Sequence, residues 1–314
     1  MLWRSRFTAS TLIALLAISR SLNSAPPQQK PNAGSDLVML TVTLTTRSGE
    51  YAMGLRQSAF QINDEKESRT IEFFESDDSP LSTGILIDTS ASMQVFQLRD
   101  VARSGPMVEA ITELLRFSNE KNEYFIAAFD RDVRFLTDWK NGTALLSQPL
   151  GITSNGKITS MYDACLAAIE KLQNAHNSRR VLVLFSDGLD NGSRHSFVEL
   201  RKLLRDSDVA LYAIGIYAPE DVSTLGQEGK SILKELAEIT GGQAFFPKDM
   251  KEMRVVMNML ATQLRHQYRL GIRPAAIDPP NKWHRIQIRI NVPPDAPAEF
   301  SKLNIRTRQG YYTH

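Results

Sequence analysis

The chain has 314 residues, 42% of them hydrophobic and 23% charged, an ordinary globular composition with room for one or two domains and a sizeable core. A formal net charge of +2, with no basic stripe along the chain, argues against a nucleic-acid partner. One cysteine, Cys165, excludes an internal disulfide framework.

Residues 1–19 read as a secretory signal peptide. Arg4 and Arg6 precede the apolar run TLIALLAIS, and the small residues Ala17 and Ser19 suit a cleavage site. The run is shorter than the roughly 20 residues a membrane helix needs, so no membrane span is expected after cleavage. No cysteine follows to carry a lipid anchor. The mature protein is therefore expected to be secreted or periplasmic. Residues 20–35, RSLNSAPPQQKPNAGS, read as a Pro/Ser/Gln-rich linker.

Residues 36–79 read as strands. LVMLTVTLTT alternates, and FQINDEKESRTIEFFES has the form of a hairpin with a polar turn. From 80 to 267 strands alternate with helices: STGILID, then the helix MVEAITELLRFS, then the close pair YFIAAFD and VRFLTDW. The helix SMYDACLAAIEKL follows, with a capping pattern at Ser160 and Asp163. Next come the strand RRVLVLFSD and the helix SFVELRKLLRD, with the same pattern at Ser196 and Glu199. VALYAIGIY is a strand, SILKELAEIT a helix stopped by Gly241 and Gly242, and MKEMRVVMNMLATQLRHQY the last helix. Such alternation predicts a doubly wound, Rossmann-like α/β domain with a mostly parallel sheet. Residues 268–314 are β text again. Each flank alone has about three strands, too few for an independent core, so the two are expected to form one small, discontinuous β domain. Cys165 falls on the apolar face of its helix with Met161, Ile169 and Leu172 and reads as a small buried side chain.

In open α/β sheets ligands bind beyond the carboxyl ends of the strands, where strand order reverses. Asp88 ends the first core strand, and Ser90 and Ser92 follow at alternate positions. Asp187 ends a second buried strand, and Thr159 stands just ahead of a helix. Taken singly, each is also an ordinary cap or turn residue. Taken together, two carboxylates and three hydroxyls from three loops make an oxygen-only set of the kind that suits Mg²⁺, Mn²⁺ or Ca²⁺. Asp190 reads as a solvated turn residue. The five histidines are scattered without metal spacing, and no G-x-S-x-G elbow or Gly-rich phosphate loop is present.

These stretches resemble the von Willebrand factor A (VWA) domain: DTSASM its first metal loop, TSMYDA its threonine loop, and FSDGLDNGSRHS its aspartate loop. Further text, ITGGQAFFPKD, QYRLGIRP and RQGYY, is similar to a mostly secreted bacterial family of VWA-related proteins frequent in acidobacteria. The resemblance covers roughly residues 36–312. It implies a metal-ion-dependent adhesion site with Asp88, Ser90, Ser92, Thr159 and Asp187 as metal residues, and Mg²⁺, Mn²⁺ or Ca²⁺ as the ion. It also implies a protein partner that offers an Asp or Glu carboxylate, and no catalysis. A Mg²⁺-dependent hydrolase at the same sheet edge is the alternative. A haloacid-dehalogenase-type phosphatase, however, needs a second Asp where Ser90 stands. Two departures from the family pattern are Ala91, where glycine is usual, and Lys157 and Ile158, where a Gly-Gly pair is usual.

Overall fold

The computed structural model describes residues 37–96, 105–147, 156, 158–217, 223–274, 279 and 281–313. The signal-peptide and linker readings at 1–35, and Lys157, lie outside the described residues. The N-terminal flank supplies β1 (Val38–Thr45), β2 (Phe60–Asp64), β3 (Glu67–Arg69) and β4 (Ile71–Glu75). The core then runs through β5 (Leu81–Asp88), α1 (Pro106–Phe117), β6 (Glu123–Phe129), β7 (Val133–Phe135), β8 (Lys140–Asn141) and α2 (Gly142–Leu146). It continues with α3 (Met161–Gln173), β9 (Arg179–Ser186), α4 (Phe197–Asp206), β10 (Val209–Gly215), α5 (Thr224–Ile239), β11 (Ala244–Phe245) and α6 (Met250–Arg265). The C-terminal flank holds β12 (Tyr268–Ile272), β13 (Trp283–Ile290), β14 (Asn304–Arg306) and β15 (Gly310–Tyr312).

The central sheet has the order β11-β10-β9-β5-β6-β7, and β8 also pairs with β6. Pairings among β11, β10, β9, β5 and β6 are parallel, while β7 and β8 run antiparallel at the edge. All eight residues of β5 are buried, as a parallel strand covered on both faces requires. Ile85, Ile87, Val183 and Ile214 pack on one face with α1 and α6. Leu86, Leu184 and Ala213 pack on the other with α3, α4 and α5. Strand order reverses at β5, which has β6 on one side and β9 on the other, so the ends of β5 and β9 lie side by side. This is the doubly wound architecture expected from the alternation of strands and helices. Cys165 is fully buried within the second cluster, and burial pushes its thiol well above the ordinary range.

The flanks form two four-stranded antiparallel sheets, β14-β1-β12-β4 and β15-β13-β2-β3. Each sheet takes two strands from either flank. They share one apolar core that includes Leu40, Val42, Phe60, Ile62, Tyr268, Leu270 and Tyr311. The reading of 60–76 as one hairpin needs correction. β2 and β3 do form a hairpin about Glu65, whose φ is +55°, but β4 leaves it and pairs with β12 in the other sheet. There Ile71 is buried in the shared core and Phe74 packs against it. The two units are tied at the base of β9. Buried Arg179 donates to the carbonyls of Ser79 and Leu264 and to Gln267, and Gln267 reaches Thr43 and Tyr212.

Two helix starts differ from the sequence reading. α5 begins at Thr224, about two turns before SILKELAEIT, because Ser223 caps the Gly226 N–H. Gly226 and Gly229, poor helix formers, hide this start from propensity. At α3, Ser160 makes no side-chain cap. The free amides of Tyr162 and Asp163 are taken instead by Asp190 and Ser193, from the loop after β9. The Ser196–Glu199 capping box of α4 is present.

Candidate metal centre

The candidate ligands lie at element ends: Asp88 at the end of β5 with Ser90 and Ser92 after it, Asp187 just after β9, and Thr159 just before α3. Asp88 closes β5 and is fully buried. One of its carboxylate oxygens accepts from the Ser90 N–H at 2.9 Å, the other from the Ser186 hydroxyl at 2.8 Å. The first contact bends the chain back, so that the Ser90 and Ser92 hydroxyls meet at 3.1 Å. Ser90 is buried and Ser92 is exposed. Burial pushes the Asp88 carboxyl up to about 6 against the hydrogen bonds from Ser90 and Ser186, and the negative charge of Asp187 adds to the rise.

Asp187 is 6% exposed. Its carboxylate accepts from the Leu189 N–H at 3.0 Å, and its carbonyl accepts from the Tyr217 hydroxyl at 2.6 Å. Gly188 follows with φ +81°. α5 presses against this turn. A Cβ on Gly229 would lie 2.1 Å from the Asp187 carbonyl oxygen, and one on Gly188 would lie 2.4 Å from the Gly229 oxygen. Only two glycines permit that approach.

Thr159 is held through its backbone. Its N–H donates to Asn191 Oδ1 at 2.8 Å, and its carbonyl accepts from the Asn191 and Gly192 N–H groups, each at 3.0 Å. On the other side Ser160 donates its N–H to the Asp130 carbonyl at 2.7 Å, and Ser90 bridges to Gly156. The threonine loop is thus stitched to the first loop, to the end of β6 and to the aspartate loop.

The departures from the family pattern are accommodated locally. Ala91 is not among the residues with positive φ, and its N–H donates to the Gly156 carbonyl at 3.0 Å, so the methyl meets no backbone penalty. Ile158 is admitted because residue 192 is a glycine; a Cβ there would come within 2.3 Å of the Ile158 side chain.

Asp190 is not a solvated turn residue. It accepts from Tyr162, Gly192 and Ser193 N–H groups and from the Ser193 hydroxyl. Its short side chain pins the aspartate loop to the start of α3. Other positioning residues escaped the sequence reading. Ser186 and Tyr217 carry no local signal, since their partners are distant in sequence. Asp130 did carry one, being a carboxylate that ends an apolar strand. It pairs with Arg134, which also reaches the Thr89 hydroxyl.

The donor set fits a hard cation. Among the described residues no three His, Cys, Asp or Glu side chains gather into a metal-binding group. The candidate set has two carboxylates and three hydroxyls instead, all oxygen donors. The negative charge of Asp187 disfavours ionisation of buried Asp88, so a cation at this edge would relieve a cost already present.

Asp163 gives a separate, pH-dependent hold on the same loops. Partial burial opposes its ionisation. Hydrogen bonds from the Arg194 and His195 N–H groups and from both side chains outweigh this and hold the carboxyl at about 2. A folded-state value below the unfolded one stabilises above the unfolded range and is lost as pH falls through the folded value. Asp163→Asn is therefore expected to lower stability by about 1 kcal/mol near neutrality, the worth of a screened hydrogen bond to a charged group. In urea unfolding the gap between variant and wild type should close between about pH 4 and pH 2. A gap of constant size over that window would disprove the assignment.

A family model agrees with the architecture. A model of the von Willebrand factor type A domain matches residues 84–258. No curated protein matches. Similar solved structures include an aerotolerance-related membrane protein from Bacteroides fragilis, at 16% identity and TM-score 0.44, covering 58% of this chain and 99% of that one. A von Willebrand factor type A protein from Catenulispora acidiphila is similar at 11% identity and TM-score 0.45, covering 81% and 75%. Manganese-loaded TRAP protein from Plasmodium vivax is similar at 14% identity and TM-score 0.44, covering 76% and 96%. No described helix is long and apolar enough to cross a membrane. With more than half of its length matched by the family model, and with Asp88 ending β5 beside β9, which Asp187 directly follows, the chain belongs to the von Willebrand factor type A domain family.

Proposed function

We propose that the protein is an exported, metal-dependent binding module that captures an acidic side chain of a partner protein. Domains of this family commonly bind a divalent metal and mediate protein interactions. The observation that carries the reading is the pairing of buried Asp88 with Asp187 at one sheet edge beside the Ser90 and Ser92 hydroxyls. In this reading Ser90, Ser92 and Thr159 hold a Mg²⁺- or Mn²⁺-class ion through hydroxyls, and Asp88 and Asp187 hold it directly or through water. The ion supplies a Lewis-acidic position with residual positive charge, because most of its ligands are neutral. Residues of the chain do the rest. Asp88 is kept in place by Ser90 and Ser186, Asp187 by Tyr217 and α5, and Thr159 by Asn191.

The test is a pull-down from the envelope fraction of the source organism, with Mg²⁺ or EDTA, using wild type and Asp88→Ala. Proteins retained only by wild type in Mg²⁺ are expected. Equal retention in all four arms rules the proposal out. Export is tested separately. Protein recovered from the native host should begin between about Arg20 and Ser35 on N-terminal sequencing, and an intact Met1 on a cytosolic species refutes it.

A further inference from the structure

A second candidate site lies at the other edge of the central sheet. α4 ends and β10 begins there, opposite the edge on which Asp88 and Asp187 sit. Between this edge and the β unit is a cleft of about 540 Å³, within the range of small-molecule sites.

The cleft is strongly cationic. Arg205, Arg285, Arg306 and Arg308 line it, against one carboxylate, Glu238. Arg308 is accounted for. It is buried, pairs with Asp208 at 3.3 Å and donates to the Gly310 and Arg205 carbonyls, so it serves the fold. The other three make no ion pair among the described residues. Arg306 donates only to the neutral amides of Gln243 and Gln263, which leaves its charge uncompensated. Arg285 is exposed on β13, where alternation sends Trp283, Arg285 and Gln287 to the face turned away from buried His284 and Ile286. Arg205 lies over the Trp283 ring at 4.9 Å, an arrangement that fixes the plane of the guanidinium.

Two polar atoms of the lining residues are also unmatched beneath the surface of the cleft. Arg205 Nε and Thr307 Oγ1 are both buried and have no hydrogen-bond partner. Buried donors are ordinarily satisfied, and an orphan calls for an explanation. Planar guanidinium groups recognise phosphate and carboxylate in a bidentate way, and an acceptor placed in the cleft would meet the uncompensated guanidinium groups of Arg285 and Arg306.

We propose that this cleft binds a small molecule carrying two or more oxyanion groups, with Arg205, Arg285 and Arg306 supplying the charge. Phosphate and carboxylate share this chemistry, and the experiment separates them. The full chain is titrated calorimetrically with inorganic pyrophosphate and, separately, with citrate. Low salt favours the charge contacts, and protein exchanged beforehand into chelator-free, metal-free buffer keeps the metal edge out of the result. Saturable binding of at least one probe is expected, weakened at least tenfold in Arg285→Gln and in Arg205→Gln. The tighter probe names the oxyanion class. Arg285 is exposed and its side chain carries no contact that the fold uses, so Arg285→Gln decides the matter if Arg205→Gln fails to fold. No saturable heat with either probe, or affinity unchanged in Arg285→Gln, overturns the proposal.

Discussion

Asp88→Ala is expected to abolish cation binding while leaving the protein folded. In wild type, Mn²⁺ at about a hundred times its dissociation constant should add roughly 2.7 kcal/mol to stability by mass action, and the variant should gain nothing. The reasoning is local. Asp88 is fully buried beside Asp187, and burial with that charge already disfavours its ionised form. Removing the carboxylate removes this cost, and with it the acceptors for Ser90 N–H and Ser186 Oγ. The opposing effects keep the net change in the metal-free protein small. The binding loss would not be offset, because one of only two anionic candidates for the ion has gone. Calorimetry with Mn²⁺, together with thermal unfolding in Mn²⁺ and in EDTA, measures both halves. Equal Mn²⁺ affinity for wild type and variant would show that Asp88 is not a ligand.

Gly229→Ala reverses the usual sign of a helix substitution. In an exposed helix interior, alanine is better than glycine by about 1 kcal/mol. Here the added methyl would stand 2.1 Å from the Asp187 carbonyl oxygen and 3.2 Å from the Tyr217 hydroxyl. Neither α5 nor the turn can yield alone, since Gly188 meets the Gly229 carbonyl from the other side and Tyr217 holds the Asp187 carbonyl. Overpacking of this kind costs about 1–3 kcal/mol, so a net destabilisation is expected. The displaced turn carries Asp187, and Mn²⁺ affinity should fall with it. Leu225→Ala, at a 59% exposed position near the start of the same helix, serves as the control and should change neither quantity. Wild-type stability and wild-type Mn²⁺ affinity in Gly229→Ala would mean that α5 does not brace the site.

The sequence alone determined the elements whose burial is periodic. β5 and β9 each carry a buried apolar run, GILI and VLVLF, with a carboxylate at or just past the strand end, and the register that sets them side by side follows from parallel pairing across a doubly wound sheet. D-x-S-x-S, the threonine and the second aspartate were legible because each lies at an element end, where local chemistry marks the boundary. The tertiary structure decided everything that depends on partners distant in sequence. Asp190 looked like a solvent-facing turn residue because its partner, the free amide of Tyr162, is 28 positions away. Ser160 looked like a cap because a Ser with an acidic residue three positions on usually is one, yet the aspartate loop reached those amides first. Gly226 and Gly229 read as the absence of a helix, although Gly229 is the condition for packing α5 on the Asp187 turn. β4 left its hairpin for a strand nearly 200 residues later, because a half-buried strand pairs with whichever edge covers its apolar face. Periodicity reports which side of an element is buried. It carries no record of what buries it, and in this protein that partner decides how the carboxyl edge of the sheet is built.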